Sequence, residues 1–170
     1  MMVRDPILLP ANPVFIVFSI ALAFVLNLLP WGSWGWVPDF VALILVFWSI
    51  YQPRKVGIGI AFAMGLVMDV HGAALLGQNA LAYTLLSYFA ITLHRRVLWF
   101  RPPVQAMYVF LLLVLMQVVQ VGVQMVVSAR LPHWPYFLQS VIAAALWPVV
   151  CWLLLAPQRR ALDRDDNRPI

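Results

Sequence analysis

The sequence predicts an all-α integral membrane protein with six transmembrane helices. Of its 170 residues, 64% are hydrophobic and only 10% are charged, whereas a soluble domain is about half apolar and about a quarter charged. The mean hydropathy of +0.91 points to the same class. Apolar runs follow one another along the chain, separated by short breaks rich in proline, glycine, tryptophan and basic residues. Almost no sequence is left over for a soluble domain.

Three spans are predicted in the first half of the chain. The break at 30–38 combines three tryptophans with glycine and proline, which is typical of a turn at the membrane interface. Asp39 directly follows Pro38 and suits the first turn of a helix, where a carboxylate is stabilised by the positive end of the helix dipole. A charged turn containing Arg54 and Lys55 separates the second span from the third. The predicted spans are 14–29, 39–50 and 56–70.

Three more spans are predicted in the second half. A glycine-containing turn at 71–78 comes first, and Asn79 is a suitable N-cap for the helix that follows it. A hydrophilic break at 94–103 comes next, and the longest uncharged run of the chain follows this break. Pro148 inside the last apolar run predicts a kink. The predicted spans are 79–93, 104–127 and 136–156.

The distribution of basic residues predicts the orientation in the membrane. Six spans place both termini on the same side, and lysine and arginine are enriched in cytoplasmic loops. Sorting these residues by alternate breaks leaves Arg130 by itself on one side. We therefore predict a cytoplasmic lead at 1–13, a six-helix transmembrane domain at 14–156 and a cytoplasmic polar tail at 157–170. The basic residues that this arrangement assigns to the cytoplasmic side are Arg4, Arg54, Lys55, Arg95, Arg96, Arg101, Arg159, Arg160, Arg164 and Arg168.

Composition and motifs argue against several functions. The net charge of +5 would suggest nucleic acid in a soluble protein, but the basic residues here follow the membrane pattern, so no nucleic-acid partner is predicted. Cys151 is the single cysteine and can form no intrachain disulfide. The three histidines fall in three different breaks, without metal-ligand spacing. No nucleophile motif, phosphate-binding loop or dinucleotide fingerprint is present. We predict no cofactor, no metal and no enzymatic activity.

The third span is rich in small residues at helical spacing. Gly57, Ala61 and Gly65 recur every four residues, and Gly59 with Ala63 forms a second such pair. Small residues at this spacing allow the backbone of another helix to approach closely. The partner is either another helix of the same bundle or a helix of a different chain, and the spacing does not distinguish between them.

Asp69 ends the third span and precedes a turn that contains Gly72, Gly77 and Gln78. A carboxylate in or near hydrocarbon is costly, so it must be paired, hydrated or protonated. One interpretation is that Asp69 hydrogen-bonds the backbone of the glycine turn and fixes its shape. The other is that it lines a polar pocket or supports a turn that a partner contacts. For Asp39 the structural interpretation is a helix-start carboxylate at the interface, and the functional interpretation is the same as for Asp69.

Three glutamines lie on one face of the fifth span, at Gln117, Gln120 and Gln124. Glutamines in lipid are expected to hydrogen-bond across to another helix, at about 0.6–2 kcal/mol each. They either hold the bundle together, or line a pocket or contact a partner helix. The candidate partner or pocket residues are Asp39, Gly57, Gly65, Asp69, Gly72, Gly77, Gln78, Gln117, Gln120 and Gln124.

Several short motifs occur together along the chain. The most specific is Gly65-Leu66-x-x-Asp69 followed by Leu76-Gly77-Gln78. The other motifs are Pro38-Asp39 with Trp48, Gln52-Pro-Arg54 with Gly57, Phe62-Ala-Met-Gly65, Leu93-His-Arg-Arg96 and Leu146-Trp-Pro148. With these motifs, the chain resembles the rod shape-determining MreD family over about 14–157.

The resemblance implies a location, partners and a fold. Members of this family are multi-pass proteins of the bacterial inner membrane that take part in lateral peptidoglycan synthesis. The resemblance implies direct binding to MreC, together with MreB, RodZ, RodA and its paired transpeptidase in one complex, and it leaves a homodimer open. It also implies a fold similar to the substrate-binding membrane subunit of energy-coupling-factor transporters. A subunit that binds a small molecule for transport is therefore the alternative function.

Overall fold

The computed structural model describes residues 11–31, 36–72, 75–128 and 134–159. Within these ranges the fold is entirely helical, without strands, which confirms the all-α prediction. The lead before residue 11, the middle of the aromatic linker with Trp34, Arg130 and the tail beyond residue 159 lie outside the described ranges. The elements are α1 (Pro13–Leu28), α2 (Phe40–Tyr51), α3 (Ile58–His71), α4 (Gln78–Leu98), α5 (Pro102–Ser128), a 3-10 turn (Trp134–Phe137) and α6 (Leu138–Arg159).

The short helix α2 lies at the centre of the bundle. Nine of its twelve residues are buried. Phe47 stacks on Tyr51 with ring centroids 4.5 Å apart, and its ring also contacts Trp48 and Trp147. The indole of Trp48 donates a hydrogen bond to the Ser19 hydroxyl at 2.8 Å, so its polar atom is satisfied. Because almost no residue of α2 reaches the surface, this helix needs no lipid-facing side.

Three of the other helices pack directly against α2, and the remaining two pack against those three. α2 packs against α1 and α4, and it makes a smaller contact with α6. α4 packs in addition against α3 and α5, and α5 packs against α6. α1 and α3 are therefore peripheral, since α2 is the main neighbour of α1 and α4 is the main neighbour of α3.

Hydrogen bonds show which helix ends lie together. The ammonium group of Lys55, between α2 and α3, donates to the carbonyl oxygen of Ala11, just before α1. The hydroxyl of Tyr51, at the end of α2, donates to Gln105 in the first turn of α5. This end of the bundle also carries Arg54, Arg95, Arg96 and Arg101, and we call it the basic end. The opposite end carries Asn27, Asp39, Asp69, Asn79 and Gln120, and we call it the polar end.

Some predicted boundaries differ from the observed ones. The prediction ended the fourth span at residue 93, but α4 continues to Leu98 through Arg95 and Arg96. Arginine and leucine favour helices, and basic side chains are stabilised near the C-terminal end of a helix. The hydrophilic break therefore marks a change in polarity and not the end of the helix. Asn79 is not the N-cap of α4, because the helix begins at Gln78 with Gly77 as its cap.

The helices differ in length. α5 and α6 have 27 and 22 residues, or about 40 and 33 Å at 1.5 Å per residue. Both are long and apolar enough to cross a membrane. α1, α2 and α3 have 16, 12 and 14 residues and extend about 18–24 Å, which is less than the roughly 30 Å of the bilayer core. The shorter helices lie together in the first half of the chain.

Candidate functional site

The helices α3 and α4 approach each other closely at Gly65. A Cβ atom added to Gly65 would lie 2.3 Å from the Cα atom of Ala80 and 2.7 Å from the carbonyl oxygen of Asn79. Ala61, one turn earlier, is fully buried. These two small residues therefore pack within the bundle. Gly57 and Gly59 differ, since a Cβ atom at either position would meet nothing within 4 Å.

Asp69 caps the start of α4 from the end of α3. One carboxylate oxygen accepts hydrogen bonds from the N–H groups of Gly77 at 2.8 Å and Ala80 at 3.3 Å, and the other accepts from the N–H of Asn79 at 2.8 Å. Asp69 is only 1% exposed. The first N–H groups of a helix lack partners within the helix and favour a negative charge. The cost of burying this carboxylate is offset by the donors that it satisfies.

The glycine turn supplies the backbone geometry that this cap needs. Gly77 has a φ of +98°, in the left-handed region where side chains other than glycine are strained. Its carbonyl oxygen accepts from the N–H of Leu81 at 2.8 Å, which starts α4. Gly72 ends α3, and its N–H donates to the carbonyl of Met68 at 2.9 Å. These bonds agree with the interpretation that Asp69 shapes the turn.

Asp39 occupies a second buried network at the same end. It is the N-cap of α2 and accepts from the N–H of Ala42 at 3.1 Å. It also accepts from the amide of Asn27 at 2.8 Å and from the hydroxyl of Tyr83. The side-chain oxygen of Asn27 in turn accepts from the N–H of Phe40 at 3.0 Å. A single carboxylate thus connects α1, α2 and α4.

Changing Tyr83 to phenylalanine tests this connection. Tyr83 is fully buried, and the substitution removes a hydrogen bond to a charged group, which is worth about 1.5–3 kcal/mol. We expect a lower free energy of unfolding, measured by urea titration of the detergent-solubilised protein. Tyr88→Phe is the matched control, because Tyr88 is on the same helix and 51% exposed. Equal stability of the two variants would contradict a structural role for the Asp39–Tyr83 bond.

Gln120 joins α4, α5 and the 3-10 turn. Its amide nitrogen donates to the side-chain oxygen of Asn79 at 2.6 Å, and its side-chain oxygen accepts from the Tyr136 hydroxyl. The backbone carbonyl of Gln120 accepts from the Gln78 side chain at 3.4 Å. The sequence predicted that the Asn79 side chain caps α4, but it accepts this hydrogen bond from Gln120 instead.

Gln117 links α5 to the 3-10 turn and to α6. Its amide nitrogen donates to the backbone carbonyl of Tyr136 at 2.9 Å, and its side-chain oxygen accepts from the Ser140 hydroxyl at 2.6 Å. Gln117 and Gln120 are both buried, and Gln124, one turn further along α5, is half-buried. Gln117 and Gln120 therefore face the interior of the bundle.

A cavity of about 290 Å³ opens between these networks. Polar groups from α1, α5, α6, the 3-10 turn and the N-cap of α2 line it, and their neighbours are apolar or aromatic. Its volume is at the lower limit of the roughly 300–1,000 Å³ of small-molecule sites. Among the described residues, no group of three or more His, Cys, Asp or Glu side chains comes together. The polar lining residues are Asn27, Asp39, Gln120, Tyr136 and Gln139.

The sequence prediction missed several members of these networks. Asn27 is the one amide side chain in a span that is apolar except for Asn27 and Ser19, and that signal could have identified it. Tyr83 and Tyr136 gave no such signal, because tyrosine is common near membrane interfaces. Their roles depend on which helices are neighbours, and spacing within one helix does not reveal this.

Comparison with known proteins identifies the family. The family model described as rod shape-determining protein MreD matches residues 10–156. The rod shape-determining protein MreD of Haemophilus influenzae is 31% identical over 145 residues, which cover 82% of this chain and 86% of that protein. No solved structure matches. The match includes every described helix except the last residues of α6, and the chain belongs to the MreD family of rod shape-determining membrane proteins.

Proposed function

We propose that this protein is a non-enzymatic scaffold of the cell-elongation complex in the bacterial inner membrane. In this role it maintains rod shape during lateral peptidoglycan synthesis by binding MreC, in a complex with MreB, RodZ, RodA and its paired transpeptidase. The observation that supports the proposal is family membership over residues 10–156, since the family associates with the rod-shape machinery. The buried polar groups at the polar end also favour a structural role, because most of them bond to one another or to backbone.

The proposal includes an orientation for the bundle. The basic end carries Arg54, Lys55, Arg95, Arg96 and Arg101, and an excess of such residues is typical of the cytoplasmic side. Both termini are then cytoplasmic, and the polar end with Asp39 and Asp69 faces the periplasm. All six helices lie within the bilayer in this arrangement, with the short α2 shielded from lipid by its neighbours.

The outward face of α3 is the surface that we propose for the transmembrane helix of MreC. Gly59 and Ala63 are exposed and lie one turn apart, on the side of α3 opposite to the buried Ala61 and Gly65. Phe62 and Val70 extend this surface and are 49% and 71% exposed. In membranes, small residues at this spacing allow close helix contact. Gly65 is unsuitable for docking a partner, because its own neighbour Ala80 already fills the space.

Co-purification of MreC with two glycine variants tests this surface. We expect Gly59→Leu to lower the captured MreC about tenfold, because a loss of about 1.4 kcal/mol corresponds to that factor. Gly122→Leu is the matched control, since Gly122 on α5 is also exposed and has nothing within 4 Å of an added Cβ. Undiminished capture by Gly59→Leu, in a variant that is produced at the wild-type level, would exclude this face.

The second candidate function is binding of a small molecule, as in a transporter subunit. The observation that favours it is the convergence of polar side chains on the cavity of about 290 Å³. The small volume of the cavity and the internal bonding of its polar groups favour the scaffold instead. Native mass spectrometry of the protein, extracted gently from its own membranes, decides between the two. A bound small molecule that is lost in Gln120→Leu would support the transporter function.

A further inference from the structure

An apolar groove runs between α1 and α3, the two peripheral helices. Its volume is about 720 Å³. Ile16, Ile20 and Phe24 form one wall, and Ile60, Met64 and Val67 form the other. Within the described ranges, no helix lies in the groove. The family assignment and the proposed docking face on α3 leave it unexplained, since Gly59 and Ala63 are not among its lining residues.

Among the described residues that line the groove, Lys55 is the one that carries a charge, and it lies at one end. The Lys55 ammonium donates a hydrogen bond to the Ala11 carbonyl oxygen. This bond holds the ammonium at the mouth of the groove. An ammonium has three N–H donors, so further donors can reach a phosphate oxygen. Arg54 is adjacent in the chain and exposed. The mouth therefore combines two positive charges with an apolar channel behind them.

The length of the groove distinguishes between possible occupants. It extends from Pro13 to Phe24 along α1, which is about 17 Å at 1.5 Å per residue. The hydrocarbon core of a bilayer is about 30 Å thick, so the groove covers roughly one leaflet. A transmembrane helix crosses both leaflets, whereas a phospholipid occupies one.

The side chains of the walls favour the same occupant. Helix pairs in membranes meet through small residues such as glycine, alanine and serine. The walls of this groove consist mainly of large side chains, including isoleucine, phenylalanine and methionine. Such side chains keep a second helix at a distance but offer a deep apolar surface to a flexible acyl chain.

We propose that the groove between α1 and α3 binds an anionic phospholipid of the leaflet at the basic end. The acyl chains lie between Ile20 and Met64, and the phosphate headgroup contacts Lys55 and Arg54. The negative headgroup is favoured because basic side chains near a membrane surface attract anionic lipids.

The test measures which lipid remains with the purified full-length protein. The wild-type protein is incubated in micelles with equal amounts of phosphatidylglycerol and phosphatidylethanolamine, and the lipid retained after gel filtration is quantified. We expect phosphatidylglycerol to be enriched about fivefold, an effect of the size attributed to one basic residue at an anionic surface. Lys55→Gln removes the charge, and Ala21→Phe fills the groove at an exposed lining position. In each variant, the two lipids should be retained in nearly equal amounts.

The control separates a specific groove from general attraction to the basic end. Arg96→Gln removes an exposed charge on α4 at the same end and should leave the enrichment unchanged. Equal retention of the two lipids by the wild-type protein would overturn the proposal, as would full enrichment in Ala21→Phe. Loss of a partner's transmembrane helix from Ala21→Phe, with lipid retention unchanged, would also overturn it, because the groove would then be a helix-docking site.

Discussion

Gly65→Ala is expected to lower the melting temperature by about 2–12 °C. The added Cβ would lie 2.3 Å from the Cα and 2.6 Å from the nitrogen of Ala80. Both are backbone atoms, so no side-chain rotation relieves the overlap, and α3 must move away from α4. Overpacking of this kind costs about 1–3 kcal/mol, and each kcal/mol shifts the melting temperature by about 2–4 °C in a chain of this size. Thermal unfolding in detergent, followed by near-ultraviolet circular dichroism, measures the change.

Gly59→Ala is the matched control for Gly65→Ala. It is the same chemical change on the same helix, but nothing lies within 4 Å of the added Cβ atom. Alanine favours a helix over glycine by about 1 kcal/mol, so we expect equal or slightly higher stability for this variant. Equal melting temperatures for the two variants would contradict the close contact between α3 and α4 at Gly65.

Asp69→Leu is expected to have the largest effect of any single change at the polar end. It leaves three N–H groups without their acceptor, of which that of Ala80 is buried and those of Gly77 and Asn79 are half-buried. A buried unsatisfied group costs about 1–3 kcal/mol, so the loss is at least of this size. We expect the yield of folded monodisperse protein to fall several-fold, measured by fluorescence-detected gel filtration.

Two further variants isolate the cause. Asp69→Asn keeps one side-chain oxygen as an acceptor, so its yield should lie between those of the wild type and Asp69→Leu. His71→Leu also exchanges a polar for an apolar residue near the end of α3, but at an exposed position, and should be tolerated. If Asp69→Asn and Asp69→Leu lost rod shape equally in cells while both folded normally, the negative charge itself would be needed for function.

The sequence was sufficient to predict the helices, but not which helices pack against one another. Hydropathy and the basic breaks identified six apolar segments, because burial in lipid requires long runs of apolar residues. The cost of a carboxylate near hydrocarbon singled out Asp39 and Asp69. Both carboxylates accept hydrogen bonds at the polar end, as expected for charged groups near hydrocarbon.

The glycines of the third span show why the packing of the helices against one another could not be predicted from the sequence. Gly57 and Gly65 belong to one series at four-residue spacing, yet only Gly65 contacts the backbone of α4 closely. Spacing defines a face of a helix, but the depth at which a second helix crosses that face depends on the tertiary arrangement. The same holds for the Asn27–Asp39–Tyr83 network, whose members are separated by 12 and 44 residues in the chain.

In the proposed arrangement, in which α3 and α4 both lie within the bilayer, the bonds from Asp69 to the start of α4 also bear on how the chain enters the membrane. An α3 helix released into lipid by itself would carry a carboxylate with no donors, at a cost of up to about 2.5–3.5 kcal/mol at full depth. That cost falls once the first turn of α4 has formed and supplies its N–H groups. We therefore expect the insertion machinery to retain α3 until α4 has been synthesised and to release the two as one helical hairpin. A truncation after residue 72 should then insert less efficiently than one after residue 98.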